Sequence, residues 1–185
     1  MIRIGCKNLT IADVESVARG RAPVSLDPAA EPDIRKSHDL IANILRDPSQ
    51  TVYGVNTGFG SLKDVRIESD QVERLQLNLI RSHAVGVGPR LSRESVRAMM
   101  LLRANTLARG FSGVSTRTIQ ILLDFLEHDI VPVIPSQGSV GASGDLAPLS
   151  HLVGYGSRTE RERPPRFCPS AGSPRFVRAP KRRSR

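Results

Sequence analysis

The chain has only two cysteines, Cys6 near its start and Cys168 near its end. A pair so placed builds no disulfide framework, and a reducing compartment is the simpler assumption. No apolar run approaches the roughly eighteen residues of a membrane span. Met1-Ile2-Arg3-Ile4 is too short for the apolar core of a signal peptide. The expected location is therefore cytoplasmic, with no membrane partner. No His/Cys/Asp/Glu cluster has metal-ligand spacing and H-E-x-x-H is absent, so no metal is expected. The dinucleotide pattern G-x-G-x-x-G, the phosphate loop ending in Gly-Lys-Ser/Thr and the G-x-S-x-G hydrolase elbow are also missing.

Balanced charge is lacking too, with a net of +9 over 185 residues, but the excess is local. Residues 155–185 hold ten Lys/Arg against two Glu, whereas residues 1–154 hold seventeen Lys/Arg against sixteen Asp/Glu. Residues 157–185 contain nine Arg, five Pro and four Ser, one Val, and no Leu, Ile or Met. Such a segment supplies nothing to a core, so the expected organisation is an ordered region 1–154 followed by a disordered basic tail 155–185. The abrupt change near Gly154 reads as out-of-frame translation after a frameshift; an intact frame on resequencing there would refute it. With only Phe167 and Phe176 beyond Gly156, the tail lacks a stacking surface, and a nucleic-acid partner is not expected.

What is present is helical periodicity. Thr10 is placed to cap a short helix ending near Gly20. A second helix is expected from about Pro32 to Arg46, with Ile34, Leu40, Ile41, Ile44 and Leu45 as its apolar stripe. Thr51–Val55 reads as a brief extended segment, and Asn56–Gly60 as a loop. Helices follow from Asp70 to His83, from Ser92 to Arg109 with Gly110 as a left-handed cap, and from Thr116 to His128. Asp129–Pro135 reads as an extended connector. The fold class is mainly α with short extended segments.

The most informative stretch runs from Gly138 to Leu149, where Ala142-Ser143-Gly144 sits among small residues. That tripeptide can make its own electrophile. Attack of the Gly144 nitrogen on the Ala142 carbonyl, with loss of two waters, closes an imidazolone ring and turns Ser143 into an exocyclic methylidene. Gly144 supplies an unhindered nitrogen and backbone freedom, and Ser143 a hydroxyl that can leave. Asp145 follows, able to act on protons during closure or to cap a helix beginning near Leu146. The structural alternative is a glycine-rich loop opening a helix.

Gly141-Ala142-Ser143-Gly144-Asp145-Leu146-Ala147-Pro148-Leu149, with Tyr53-Gly54-Val55-Asn56-Thr57-Gly58-Phe59-Gly60 upstream, resembles the histidine and aromatic amino acid ammonia-lyases. The likeness covers about residues 3–153, corresponding to the N-terminal third or so of a full-length member. It implies a mainly helical fold of the fumarase/aspartase-like kind, a homotetramer, and a 4-methylidene-imidazol-5-one formed from Ala142, Ser143 and Gly144, with no external cofactor. It further implies that the substrate amine adds to the carbon derived from Ser143 and that Tyr53 takes the β-proton. Asn56, Gly60 and Asp145 support these groups. Without the flanking motif, Tyr53 reads as a half-buried tyrosine anchoring a loop.

His83 carries the specificity expectation. Asn78-Leu79-Ile80-Arg81-Ser82-His83-Ala84 resembles the histidine-specific members, in which the matching histidine holds the substrate imidazole. L-Histidine is then the substrate, and urocanate and ammonia the products. The structural alternative is a helix-terminal histidine interacting with the dipole. His38 and His128 are expected to be solvated or capping, and His151 to pack beneath the reactive loop without reacting. The later pocket residues of the family have no counterpart here, so the chain as written is expected to be inactive, with the apolar faces of 92–109 and 116–128 short of partners. Three other readings stand beside this one: a phenylalanine- or tyrosine-type lyase or aminomutase, a fragment without independent role, and a nonenzymatic module binding nucleic acid through its tail.

Overall fold

The fold is that of a computed structural model describing residues 1–47, 49–139 and 146–157. Strand β1 (Ile2–Ile4) leads to helix α1 (Ile11–Ala18), which returns the chain to strand β2 (Val24–Leu26). The two strands pair in parallel, Ile2 opposite Val24 and Ile4 opposite Leu26. Helix α1 opens with Thr10 as the expected N-cap, and Asp13 completes a capping box. The Thr10 hydroxyl accepts the Asp13 N–H at 3.2 Å, and the Asp13 carboxylate accepts the Thr10 N–H at 2.9 Å.

A 3-10 turn at Pro28–Ala30 leads into α2 (Glu31–Arg46), and a second at Gly60–Leu62 precedes α3 (Ser69–His83). Strand β3 (Val87–Arg90), α4 (Arg93–Leu107), α5 (Thr116–Glu127), strand β4 (Pro135–Gln137) and α6 (Leu146–Ser157) complete the described residues. β3 and β4 pair antiparallel, with Val87 opposite Gln137 and Arg90 opposite Pro135.

The core lies where α4 packs against α1 and α5. Val17 of α1, Val96, Met100, Leu101 and Ala104 of α4, and Ile119, Leu123 and Leu126 of α5 are all buried. The helices expected at 92–109 and 116–128 to be short of partners cover each other on these faces, while Leu102 and Ile121 stay exposed, so the expected shortage is met only in part. The underfilled helix is α3, none of whose described residues is fully buried. Within the expected stripe of α2, Ile34 and Ile44 are buried but Leu40 is exposed. Thr51–Val55 is also not extended. Val55 and Asn56 both donate backbone N–H groups to the Val52 carbonyl, and Gly54 turns with φ +77°, so the segment is a turn.

One buried charge organises this core. Arg97 is 2% exposed. Its Nε and Nη2 donate to the Val17 carbonyl at the end of α1, and its Nη1 to the Leu126 carbonyl at the end of α5 and to Asp129 Oδ1. Asp129 also pairs with Arg21 and Arg93. It stands at φ +56° just past α5, where a glycine is usual, and the Ile130 N–H closes back onto the Phe125 carbonyl.

Candidate active site

The Tyr53 loop is a self-braced turn. Asn56, 2% exposed, is its strut: Oδ1 accepts the Val52 N–H at 2.8 Å and Nδ2 donates to the Gln50 carbonyl at 2.8 Å. The Thr57 hydroxyl takes the Gly54 N–H and donates to the Gly58 carbonyl. Arg66 reaches back to the Gln50 and Asp47 carbonyls. Asp47 gathers the Ser49 N–H and hydroxyl and the Gln50 amide, and these hydrogen bonds hold its carboxyl below the usual carboxylate range. Gly60 has φ +60° with open space where a Cβ would stand.

Tyr53 is 62% exposed, its ring edge-on to Phe59 at 5.9 Å between centroids. The half-buried anchor expected of a merely structural tyrosine is not what this loop holds. Each of the loop's hydrogen bonds given above closes within residues 47–67, and none ties Tyr53 to His83.

His83 closes α3. Its Nδ1 lies 2.8 Å from the Leu79 carbonyl, which can only accept, so Nδ1 carries a proton. In the neutral ring Nε2 then holds the lone pair. The helix-terminal contact foreseen as the structural alternative is thus present, and it uses only one of the two ring nitrogens. The Ser82 hydroxyl donates to the same carbonyl at 2.9 Å and lies 3.1 Å from His83 Nδ1. His128 repeats the pattern at the end of α5, with Nδ1 2.9 Å from the Asp124 carbonyl, and His38 Nδ1 lies 3.0 Å from the Gly113 carbonyl.

Ala142, Ser143, Gly144 and Asp145 lie outside the described residues, but both flanks of that segment are described. Ser139 Oγ accepts the N–H of Ala147, in the first turn of α6, at 3.1 Å. One of the orphan donors of that helix is therefore met from the far side of the segment. A Cβ built on Gly138 would stand 2.7 Å from Gly86 Cα, so the two backbones cross with no room for a side chain. Gly86 is three residues past His83, and α3 packs along α6. The structure thus brings His83 and both ends of the Ala-Ser-Gly segment into one neighbourhood. Sequence reasoning missed Ser139 and Gly86, because partners eight and 52 residues apart leave no local signal.

Residues 9–162 match the family model described as aromatic amino acid lyase. The histidine ammonia-lyase of Anaeromyxobacter dehalogenans is 52% identical over 147 residues, covering 80% of this chain and 29% of that protein. Among solved structures, histidine ammonia-lyase from Trypanosoma cruzi is 39% identical with a TM-score of 0.72, over 82% of this chain and 29% of that one. An ergothionase from Treponema denticola gives 34% and 0.77, over 82% and 30%. The chain spans under a third of the length of the relatives it matches. With the family model covering most of its length and the described residues helical in the same arrangement, this chain belongs to the aromatic amino acid lyase family.

Proposed function

We propose that the protein is a histidine ammonia-lyase, converting L-histidine to urocanate and ammonia, to which this chain contributes Tyr53, His83 and the Ala142-Ser143-Gly144 segment. The observation that carries the reading is the state of His83: Nδ1 is committed to the Leu79 carbonyl. That leaves Nε2 to accept an N–H from a substrate imidazole. The 52% identity to a histidine ammonia-lyase points the same way.

The residues flanking the tripeptide fit an internal imidazolone, because Gly138 crosses Gly86 backbone on backbone and Ser139 is bonded across to Ala147. Formed from Ala142, Ser143 and Gly144, that group supplies the electrophilic carbon to which a substrate amine adds. The chain's own residues do the rest of what falls to this region. Tyr53, on its exposed turn, takes the β-proton. Asn56 holds the turn in shape from beneath, and Gly60 lets the chain leave it. His83 orients the substrate ring, and Asp145 serves closure of the tripeptide. The reading carries with it a homotetramer and a cytoplasmic location.

The test is made on the protein expressed from its own locus. A peptide spanning residues 142–144 two waters light, with turnover of L-histidine well above L-phenylalanine and L-tyrosine, is expected. An unmodified peptide, or preference for either other amino acid, refutes the proposal.

A further inference from the structure

Gly86 is a position where the backbone is all there is room for. A Cβ built there would stand 2.8 Å from His151 Nε2 and 3.2 Å from the Gln137 carbonyl. Its N–H donates to His151 Nε2 at 2.9 Å. An N–H only donates, so Nε2 presents a lone pair and the neutral ring carries its proton on Nδ1. The Gly138 backbone presses on Gly86, and Ser139 takes the N–H of Ala147 at the start of the helix that bears His151. The contacts form a closed circuit: His151 to Gly86, Gly86 to Gly138, Ser139 to Ala147, and along α6 back to His151.

His83 enters this circuit three residues before Gly86. Between them lie Ala84, whose N–H still bonds the Ile80 carbonyl of α3, and the exposed Val85. The turn that ends α3 is therefore short and tethered at both ends, by the helix on one side and by His151 on the other.

We infer that His151 is a positioning residue: by holding the Gly86 N–H it locks the turn ending α3 against α6, and so sets where the His83 imidazole stands relative to the segment bracketed by Ser139 and Ala147. This rests on the proposed role of His83 toward substrate. A histidine that merely fills space here would be replaceable by any side chain of similar bulk, whereas a positioning histidine is replaceable only by another acceptor. His151→Leu keeps bulk and removes the acceptor. His151→Gln places an amide oxygen at about the reach of Nε2.

Two measurements decide it. In the 185-residue chain, hydrogen exchange at the Gly86 amide is expected to speed up at least tenfold in His151→Leu and to return close to wild type in His151→Gln. In the protein expressed from its own locus, His151→Leu is expected to raise KM for L-histidine roughly five- to tenfold, the loss of one such bond. There kcat stays within about threefold, the 142–144 peptide keeps its wild-type mass, and His151→Gln restores KM. Rapid Gly86 exchange in the wild type, an unchanged KM in His151→Leu, or equal defects in the Leu and Gln variants would each overturn the inference. A wild type that leaves L-histidine untouched would refute the proposed function itself and take the inference with it, and an unmodified 142–144 peptide, or wild-type turnover of L-phenylalanine or L-tyrosine instead, identifies that case.

Discussion

Replacing Arg97 by Met probes what holds the three core helices in register. Methionine keeps a long apolar stem beside Met100 and Leu101 but removes every donor. Two carbonyls at buried residues, Val17 (0% exposed) and Leu126 (4%), then lose their partner. Each orphaned acceptor costs about 1–3 kcal/mol. Burial already disfavours the Arg97 charge and pushes its pKa down, Asp129 opposing that shift, so removing the guanidinium returns part of the loss. Asp129 keeps Arg21 and Arg93 and is not stranded. The net expectation is about 3 kcal/mol of destabilisation, near the top of the ordinary single-mutant range. With a urea slope of about 2 kcal/mol/M, the circular-dichroism midpoint falls by about 1.5 M at unchanged slope. Arg97→Lys, one point charge in place of a planar fork, should lose about half as much. Combined with Asp129→Asn, Arg97→Met should cost less than the sum of the two, because they share a bond. A midpoint within about 0.3 M of wild type for Arg97→Met would refute the reasoning.

Asp47 is expected to titrate below 3.8, because the Ser49 hydroxyl and N–H and the Gln50 amide bond its ionised form. With the folded pKa depressed, its support for the Tyr53 turn is complete above the unfolded value and lost as pH falls through the lower folded one. NMR titration of the carboxyl checks this, and a midpoint at or above 3.8 refutes it. Gly110→Ala places a Cβ 2.8 Å from the Asp33 backbone at φ +75°. A cost of about 2 kcal/mol should lower Tm by about 4–8 °C in scanning calorimetry, and a loss under about 1 °C would show the approach of Gly110 to Asp33 of α2 to be slack. Asn56→Ala removes both struts of the Tyr53 turn. In the protein from its own locus, kcat for L-histidine should fall at least about tenfold with a smaller change in KM; the reverse pattern would place Tyr53 away from the proton transfer.

Much of the secondary structure was legible because it is written locally. Thr10 and Asp13 sit at capping-box spacing, and the apolar steps of α2 to α5 give their extents within a residue or two. What periodicity could not tell is which apolar side chain meets a neighbour: Leu40 obeys the α2 stripe and remains exposed. β1 and β2 were invisible, since three-residue strands pair only after α1 has carried the chain back. β3 was hidden by Gly88 and Pro89, residue types that ordinarily break regular structure and here stand within a strand. The candidate site was legible as chemistry but not as a place. Ala142-Ser143-Gly144, Tyr53 and His83 were picked out by residue type and by likeness to a family. The crossing of Gly86 over Gly138, and the bonds of His151 and Ser139, depend on contacts between distant parts of the chain.

The buried core of α1, α4 and α5 and the half-covered α3 have different consequences for motion. Local opening is least costly where little apolar surface is sealed, so a segment such as α3 can unfasten while the core stays closed. The helix that ends in His83 therefore draws little of its order from burial and much of it from the polar contacts at its end. A substitution deep in α4 would shift when the whole unit melts, whereas one at Gly86 would change how often His83 is found in place. Global stability and the geometry of the site are thus separate quantities in this chain, open to adjustment one without the other.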